Sequence, residues 1–277
     1  MSVKITTLIE NSAKSDIYYS EHGLSLLVEA NGVRVLYDTG SSSLFLKNAK
    51  TLDADLNNVD ALVLSHGHYD HTGGVDAIVA HHLHPKKIYL GKHFFDLRYT
   101  KKRDGLKEIG ATFDENTLNS IGSTVVEVED EPVSLGKGLW AVSGFKTTYP
   151  VEELSAGMMK LEGGMMKKDT FQDEVVLVVE TEKELAVISG CSHIGILSIV
   201  HRVSELFNRP VTMFVGGTHL VDSDDERIQY TCEQLKEEGI TRLGACHCNG
   251  ERAATYFEEH FPGFFRNTAG ACIVIES

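Results

Sequence analysis

The chain has 277 residues, of which 42% are hydrophobic, so it can bury the sizeable core of an ordinary globular protein. Its formal net charge of −14 argues against nucleic acid as the main partner, because binding phosphates needs a basic surface. The sequence shows neither an export signal nor an apolar run long enough to span a membrane, and its five cysteines suggest no disulfide framework. We therefore expect a cytoplasmic protein with a small-molecule substrate and no membrane partner, and a homo-oligomer stays open.

The first part of the chain carries short strand patterns that follow one another closely. We predict strands over residues 6–10, 24–30 and 33–38, and a buried strand in the apolar run 59–64. Short connections favour antiparallel pairing between such strands. This part of the sequence therefore predicts a largely antiparallel sheet.

Four potential metal ligands stand within the six positions 66–71, directly after the predicted strand. His66 and His68 are two residues apart, so both side chains can point to one side of an extended backbone. Asp70 and His71 can turn towards a second position at the start of a helix. A solvated histidine-rich loop has no reason to stand between a buried strand and a glycine pair. The pattern predicts two adjacent metal sites.

The order His-x-His-x-Asp-His in a loop between a strand and a helix resembles the signature of the metallo-β-lactamase superfamily. Further segments resemble one branch of that superfamily, which contains the dihydropterin ribofuranosylaminobenzene-phosphate synthases of methanopterin biosynthesis; they are residues 21–25, 169–174, 190–193, 216–220 and 247–250. The resemblance implies an α/β fold, a four-layer αββα sandwich of two mixed β-sheets flanked by helices. We expect residues 1–277 to form this fold as a single domain.

Three short apolar runs in the second half of the chain are each followed closely by a histidine. These runs are residues 185–190, 211–216 and 241–245, and amphipathic helices are predicted over 197–207 and 224–238. Continuous apolar runs are typical of strands buried on both faces. The histidines that follow them, His193, His219 and His247, would then converge along one edge of a sheet.

The resemblance assigns the metal ligands unevenly. His247 matches the last histidine of the superfamily and would complete the second metal with Asp70 and His71. The further histidine that usually completes the first metal is missing from the turn where it is expected. His193 stands where a bridging aspartate is usual and is the expected ligand there, with Cys191 as the alternative thiolate ligand.

Other residues are expected to support the site without binding metal. Asp38 would hold the 66–71 loop through hydrogen bonds, and His22 matches the branch pattern near the rim of the pocket. His219 could line the pocket, orient a ligand or satisfy a core hydrogen bond. Lys146, in the turn that lacks the histidine, is a candidate anion clamp.

Two cysteines beside His247 are predicted to be packing residues. In an extended segment Cys246 and Cys248 would point to the face opposite His247.

A glycine- and methionine-rich segment, 157–168, could be a lid, an oligomer contact or a flexible connection. The basic run 98–103 could bind a phosphate, although a solvated surface is the more ordinary interpretation.

The predicted ligand set suggests the chemistry. Imidazoles with one carboxylate suit two divalent ions, with zinc first and iron or manganese as alternatives. Two such ions can share a hydroxide and polarise a carbonyl or phosphoryl oxygen, and Asp70 can orient that hydroxide or accept its proton. The sequence thus predicts a metal-dependent hydrolase that acts on a small phosphorylated or ester-like metabolite through a metal-bound hydroxide at a dinuclear site.

Two alternatives stay open. The branch resemblance implies a transferase like the dihydropterin ribofuranosylaminobenzene-phosphate synthases, although the turn at 145–148 departs from the sequence usual in that branch. A non-catalytic ligand sensor would need a degraded metal site. The intact motif at 66–71 argues against the sensor.

Overall fold

The structure is a computed structural model that describes residues 2–276. The elements of the first half are, in chain order, β1 (Ser2–Ile9), β2 (Ser25–Ala30), β3 (Val33–Tyr37), α1 (Leu44–Thr51), β4 (Ala61–Val63), α2 (Tyr69–Thr72), α3 (Val75–Ala80), β5 (Lys87–Gly91), β6 (Arg98–Lys102), β7 (Gly105–Glu108), α4 (Glu115–Ile121) and β8 (Thr124–Val128).

The second half contains β9 (Val133–Gly136), β10 (Leu139–Val142), β11 (Met158–Glu162), β12 (Met165–Lys168), β13 (Val176–Glu180), β14 (Leu185–Ser189), α5 (Ile196–Phe207), β15 (Met213–Gly217), α6 (Asp225–Glu237), β16 (Arg242–Cys246), α7 (Glu251–His260) and β17 (Cys272–Glu276). One turn of 3-10 helix, His247–Asn249, joins β16 to α7. None of the helices among residues 2–276 has the length and apolar character needed to cross a bilayer.

Two mixed sheets form the centre of the molecule. The first has seven strands in the order β17-β1-β2-β3-β4-β5-β8, and the second has six in the order β16-β15-β14-β13-β10-β9. In the first sheet β3, β4, β5 and β8 run parallel, and in the second β14, β15 and β16 do. The remaining pairs in both sheets are antiparallel. The mixed sheets expected from the sequence are confirmed.

The apolar side chains alternate between the two faces of the strands and so build three cores. In the first sheet, Leu26 and Val35 point inwards to a core shared with the second sheet, whereas Leu27 and Leu36 point outwards to helices α1, α3 and α4. The outer face of the second sheet packs against α5, α6 and α7. The result is the helix–sheet–sheet–helix arrangement that the sequence predicts.

A third, four-stranded antiparallel sheet was not expected. Its strand order is β12-β11-β6-β7. The methionine-rich segment forms the hairpin β11–β12 in this sheet, so it is not the unstructured connection that its composition allows. The sheet lies against the histidine loop, because the amide of Tyr69 donates to the carbonyl of Ile109 at 3.0 Å and His68 forms a bridge with Gly110.

Parallel strands bring the predicted site residues to one edge of each sheet. Asp38 follows β3 and the 66–71 loop follows β4 in the first sheet. In the second sheet, Cys191, His219 and His247 follow β14, β15 and β16. The carboxyl ends of parallel strands lie on the same edge of a sheet, which is where sites in open α/β sheets form.

Candidate metal centre

The loop that carries the histidines, residues 65–71, is anchored by the amides of Ser65 and Gly67 and by the hydroxyl of Ser65. The amide of Ser65 donates to Asp38 Oδ1 at 2.7 Å, and its hydroxyl donates to Asp38 Oδ2 at 2.7 Å. The amide of Gly67 donates to Asp173 Oδ2 at 2.7 Å. Helix α2 then begins directly after His68, so the chain turns between the two pairs of candidate ligands.

The first group of donors consists of three imidazoles. His66 Nε2 lies 3.1 Å from His68 Nδ1 and 3.3 Å from His193 Nε2. None of the three residues is more than 8% exposed. Nitrogen ligands at about 2.0–2.1 Å from a tetrahedral zinc ion lie roughly 3.3 Å apart, so these spacings fit one metal ion. His193 supplies the third histidine that the turn at 143–149 lacks.

The second group is mixed in chemistry. His71 Nε2 lies 3.2 Å from His247 Nε2 and 3.8 Å from Asp70 Oδ2, and His247 Nε2 lies 3.3 Å from the same carboxylate oxygen. His22 adds a further nitrogen, 3.2 Å from Asp70 Oδ2. The nitrogens of His71 and His247 and the oxygen of Asp70 therefore surround a second position that fits a divalent ion, with the nitrogen of His22 beside it.

Cys191 lies between the two groups. Its sulfur is 3.2 Å from His71 Nε2, and together with His66 and His71 it offers donor atoms that all lie within 4.8 Å of one another. The rings of His66 and His71 are 4.3 Å apart at their centroids. His193 and Cys191 therefore do not compete for one position, which corrects the expectation drawn from the sequence.

Burial keeps most of these donors in the protonation state that a metal needs. It lowers the pKa of His66 and His193 well below the ordinary value and that of His68 to about 3, so these imidazoles are neutral near pH 7. Burial alone would raise the pKa of Asp70. The charge of His71 and hydrogen bonds from His22 and His247 instead hold that pKa well below its usual range.

Three comparisons bear on the family. Residues 20–148 match the family described as the metallo-β-lactamase superfamily. The chain is 32% identical to the 7,8-dihydropterin-6-methyl-4-(β-D-ribofuranosyl)-aminobenzene-5'-phosphate synthase of Methanocaldococcus jannaschii. The alignment covers 99% of this chain and 96% of the synthase. The chain belongs to the metallo-β-lactamase superfamily. The resemblance seen in its motifs is thereby confirmed.

Two further relatives agree with this assignment. The crystal structure of a metal-dependent hydrolase of the β-lactamase superfamily superposes with a TM-score of 0.86 at 35% identity, covering 99% of this chain and 100% of the other. An uncharacterised protein of M. jannaschii is 29% identical over 91% of this chain and 92% of its own. The relatives thus include one protein described as a hydrolase and one named as a synthase.

Oxygen atoms of Asp38, Glu10 and Asn11 fix the orientation of two of the candidate ligands. Asp38 Oδ2 lies 2.7 Å from His71 Nδ1, so the other ring nitrogen of His71 faces the second group. Asn11 Oδ1 lies 3.0 Å from His247 Nδ1 and Glu10 Oε1 accepts from the amide of His247 at 2.7 Å. Such partners set the tautomer and orientation of a ligating histidine.

Glu174 holds the turn that carries His193, a role that the sequence did not predict. Its carboxylate accepts from the amides of His193 and Ile194 at 2.8 and 2.9 Å, and so holds the turn that carries His193. The residue before His193, Ser192, has a left-handed φ of 58°. Segment 169–174 carries the branch resemblance, but nothing in the sequence shows which backbone groups its acids would bind.

Arg98 is buried, so the prediction that run 98–103 lies at the surface is wrong for this residue. Its guanidinium pairs with Asp169 Oδ2 at 3.0 Å and with Asp173 Oδ1 at 2.8 Å, and it is 1% exposed. Since Asp173 also accepts from Gly67, Arg98 holds the histidine loop through one intermediate side chain. It is not available to bind a phosphate.

The remaining predicted residues lie at different distances from the donors. The ring of His219 is 4.4 Å from that of His193 at the centroids. His22 is 59% exposed at its side chain and stacks on His247 at 5.1 Å, which places it at the rim. Lys146 is exposed, and no hydrogen bond or ion pair joins it to either donor group within residues 2–276.

Cys248 does not point away from His247 as the sequence argument expected. Its sulfur, that of Cys191 and a nitrogen of His247 lie within 4.8 Å of one another. The sequence argument assumed an extended chain, but His247 has a left-handed φ of 55° and begins a 3-10 turn. That turn brings Cys248 back towards Cys191, whereas Cys246 remains in the inter-sheet core.

Proposed function

We propose that the protein is a metal-dependent hydrolase of a small phosphorylated or ester-like metabolite. The observation that carries this proposal is the pair of adjacent donor groups, which fit two divalent ions. In this proposal His66, His68 and His193 hold the first ion, and the second group, Asp70, His71 and His247, holds the other. Zinc suits these donors best, with iron or manganese as alternatives.

Bound at this spacing, two divalent ions supply an acidified water as nucleophile and polarise the substrate oxygen. Asp70 is the residue proposed to orient that water and accept its proton. The ionised state of Asp70 supports the orienting part of this role, because His71, His22 and His247 hold its pKa low despite burial and an ionised carboxylate only accepts hydrogen bonds. His22, half in solvent and 3.2 Å from Asp70, can pass the proton to bulk water.

An unpaired cation beside the site favours a phosphorylated substrate. Lys107 Nζ lies 5.7 Å from the centroid of the Tyr69 ring, and Tyr69 immediately precedes Asp70. Lys107 is close enough to lower the pKa of His22 at the rim, although the hydrogen bond to Asp70 raises it more. Across residues 2–276 no carboxylate pairs with Lys107, so its charge is free to attract an anionic group.

We propose a single domain for residues 1–277. Strand β17 pairs with β1, so both ends of the chain contribute to the first sheet. Donor residues come from both central sheets, and a division between them would split the donor groups.

A synthase-like transferase is the second candidate. It is favoured by the 32% identity to a synthase over 99% of the chain. The same donors would then activate a substrate for attack by a second organic molecule instead of water. The hydrolase comes first here because the protein with the higher identity, 35%, is described as a hydrolase.

Metal analysis and a substrate panel test both candidates. Protein purified without added metal should contain up to two transition-metal ions per chain, and the panel should hold phosphodiesters, thioesters, lactones, and a reduced pterin with an aminobenzene ribosyl phosphate. His68→Ala should lose metal and activity together, whereas His81→Ala should lose neither, because His81 is an exposed histidine at the end of α3 that belongs to neither donor group. Turnover with the paired pterin substrates alone would reverse the ranking.

A further inference from the structure

Two buried thiols meet at the second donor group. Cys191 follows β14, and Cys248 lies in the 3-10 turn after β16. Both are free and buried, and their sulfurs lie within 4.8 Å of each other and of a nitrogen of His247. The two sulfurs come from separate strand ends and lie close to one imidazole. Such a donor arrangement is typical of zinc and other thiophilic ions.

Each sulfur also faces the donors in a specific way. Cys191 Sγ lies 3.2 Å from His71 Nε2, a nitrogen that already belongs to the second group. Cys248 Sγ accepts the backbone amide of His219 at 3.3 Å, and as a thiol it donates to the carbonyl of Cys191 at 3.4 Å, a hydrogen bond that it would give up on binding an ion. A backbone N–H directed at sulfur stabilises a negative charge there, because hydrogen bonds to charged acceptors are the stronger ones.

The fold keeps space for these sulfurs. Strand β15 ends at Gly217, where a Cβ atom would lie 2.6 Å from Cys248 Sγ and 3.1 Å from Cys191 Cα. Contacts below 3.0 Å require displacement, so any side chain at this position would push Cys248 away. The same Cβ would lie 2.4 Å from the carbonyl oxygen of Gly190, which accepts the amide of Gly217, so the glycine is needed for this backbone contact as well as for Cys248 to lie beside Cys191.

We propose that Cys191 and Cys248 are thiolate ligands which, with His247, make the second metal position selective for a thiophilic divalent ion. Zinc, iron(II) and cobalt(II) belong to this class, whereas magnesium, manganese and calcium prefer oxygen donors. Each thiol loses one proton to solvent as its sulfur binds the ion, and no electron is transferred. The inference rests on the proposed metal centre and adds the sulfur donors to it.

Cobalt titration of the whole chain tests the thiolate ligands directly. Cobalt(II) added to metal-free protein should produce an intense thiolate-to-cobalt charge-transfer band. That band should fall by about half in Cys191→Ser and in Cys248→Ser and vanish in the double variant, since each thiolate contributes to it. Cys246→Ser is the matched control, because Cys246 is a buried cysteine two residues from Cys248 whose sulfur accepts from Asn267 instead. The band should be unchanged in that control.

The outcomes separate the thiolates from the metal centre. Stoichiometric cobalt binding without the band, or a band that survives intact in Cys248→Ser, would overturn the thiolate ligands and leave the centre standing. Failure of the wild-type protein to bind cobalt would overturn both. X-ray absorption of the zinc-loaded wild type needs no variant: sulfur scattering at about 2.3 Å is expected, and a shell of nitrogen and oxygen alone would refute the proposal.

Discussion

Arg98 offers a sharp test of how the histidine loop is held. Arg98→Met keeps the apolar stem but removes the guanidinium from Asp169 and Asp173, whose side chains are 2% and 0% exposed. Breaking a buried ion pair by removing one partner costs about 3–5 kcal/mol, because the remaining charge is left without compensation. Against a total stability of roughly 5–15 kcal/mol, this is a large fraction.

Urea denaturation of the metal-free protein measures that loss. Lys92→Met is the control, since Lys92 pairs with Glu129 at a similar 2.8 Å but at the surface, with 41% and 60% of the two side chains exposed. That control should lose little or nothing, because solvent screens an exposed pair. Replacing both aspartates by asparagine should recover much of the stability of Arg98→Met. Equal midpoints for Arg98→Met and Lys92→Met would refute the argument.

Three other outcomes are expected. Lys107→Ala should raise KM for phosphorylated substrates about two- to fivefold with kcat unchanged, and an equal change for neutral esters would contradict an anion-binding role. Asp38→Asn should weaken metal binding by about 10- to 100-fold, measured by competition with a chromophoric chelator; unchanged affinity would show that the Asp38–His71 contact is dispensable. Acid should destabilise the metal-free protein, because the pKa of His68 is about 3 in the folded state and 6.5 in the unfolded chain. The unfolded chain therefore binds more protons, and the free energy of unfolding falls as the pH drops from 6.5. His68 alone contributes up to about 5 kcal/mol across that window, and urea midpoints that do not move between pH 7 and pH 4.5 would refute this.

The sequence was informative where ligands are neighbours in the chain. His66, His68, Asp70 and His71 lie within six positions, and a strand followed by a helix start leaves few ways to arrange them. The strand patterns likewise predicted β1 to β4 and β14 to β16, which are seven of the thirteen strands of the two central sheets.

The third sheet was not predictable in the same way. Its strands β7 and β12 are exposed at every position, and β6 is rich in basic residues, so no alternation marks a buried face. Its pairing depends on contacts between residues about 60 apart, such as Thr100 with Met158. Local patterns carry no information on such pairs. The position of Arg98 was missed for the same reason, since its partners lie in segment 169–174.

The error at Cys248 shows what decides the geometry of the second donor group. Alternation in an extended strand would have turned its sulfur away from His247. The backbone instead leaves β16 through a left-handed residue, His247, and Ser192 and Asp38 are left-handed at the ends of two neighbouring loops. Non-glycine residues in that conformation persist only where their surroundings fix them.

Those surroundings are carboxylates in the protein itself. Glu10 fixes His247, Glu174 fixes the turn after Ser192, and Asp38 binds both Ser65 and His71. The strained backbone at the site is thus held by hydrogen bonds that involve no metal. The donor nitrogens lie 3.3 and 3.2 Å apart, which is the spacing of a coordination shell. Since these hydrogen bonds come from the protein itself, metal removal should abolish activity while leaving far-UV circular dichroism largely unchanged; a loss of secondary structure on chelation would show that the ions themselves hold these loops.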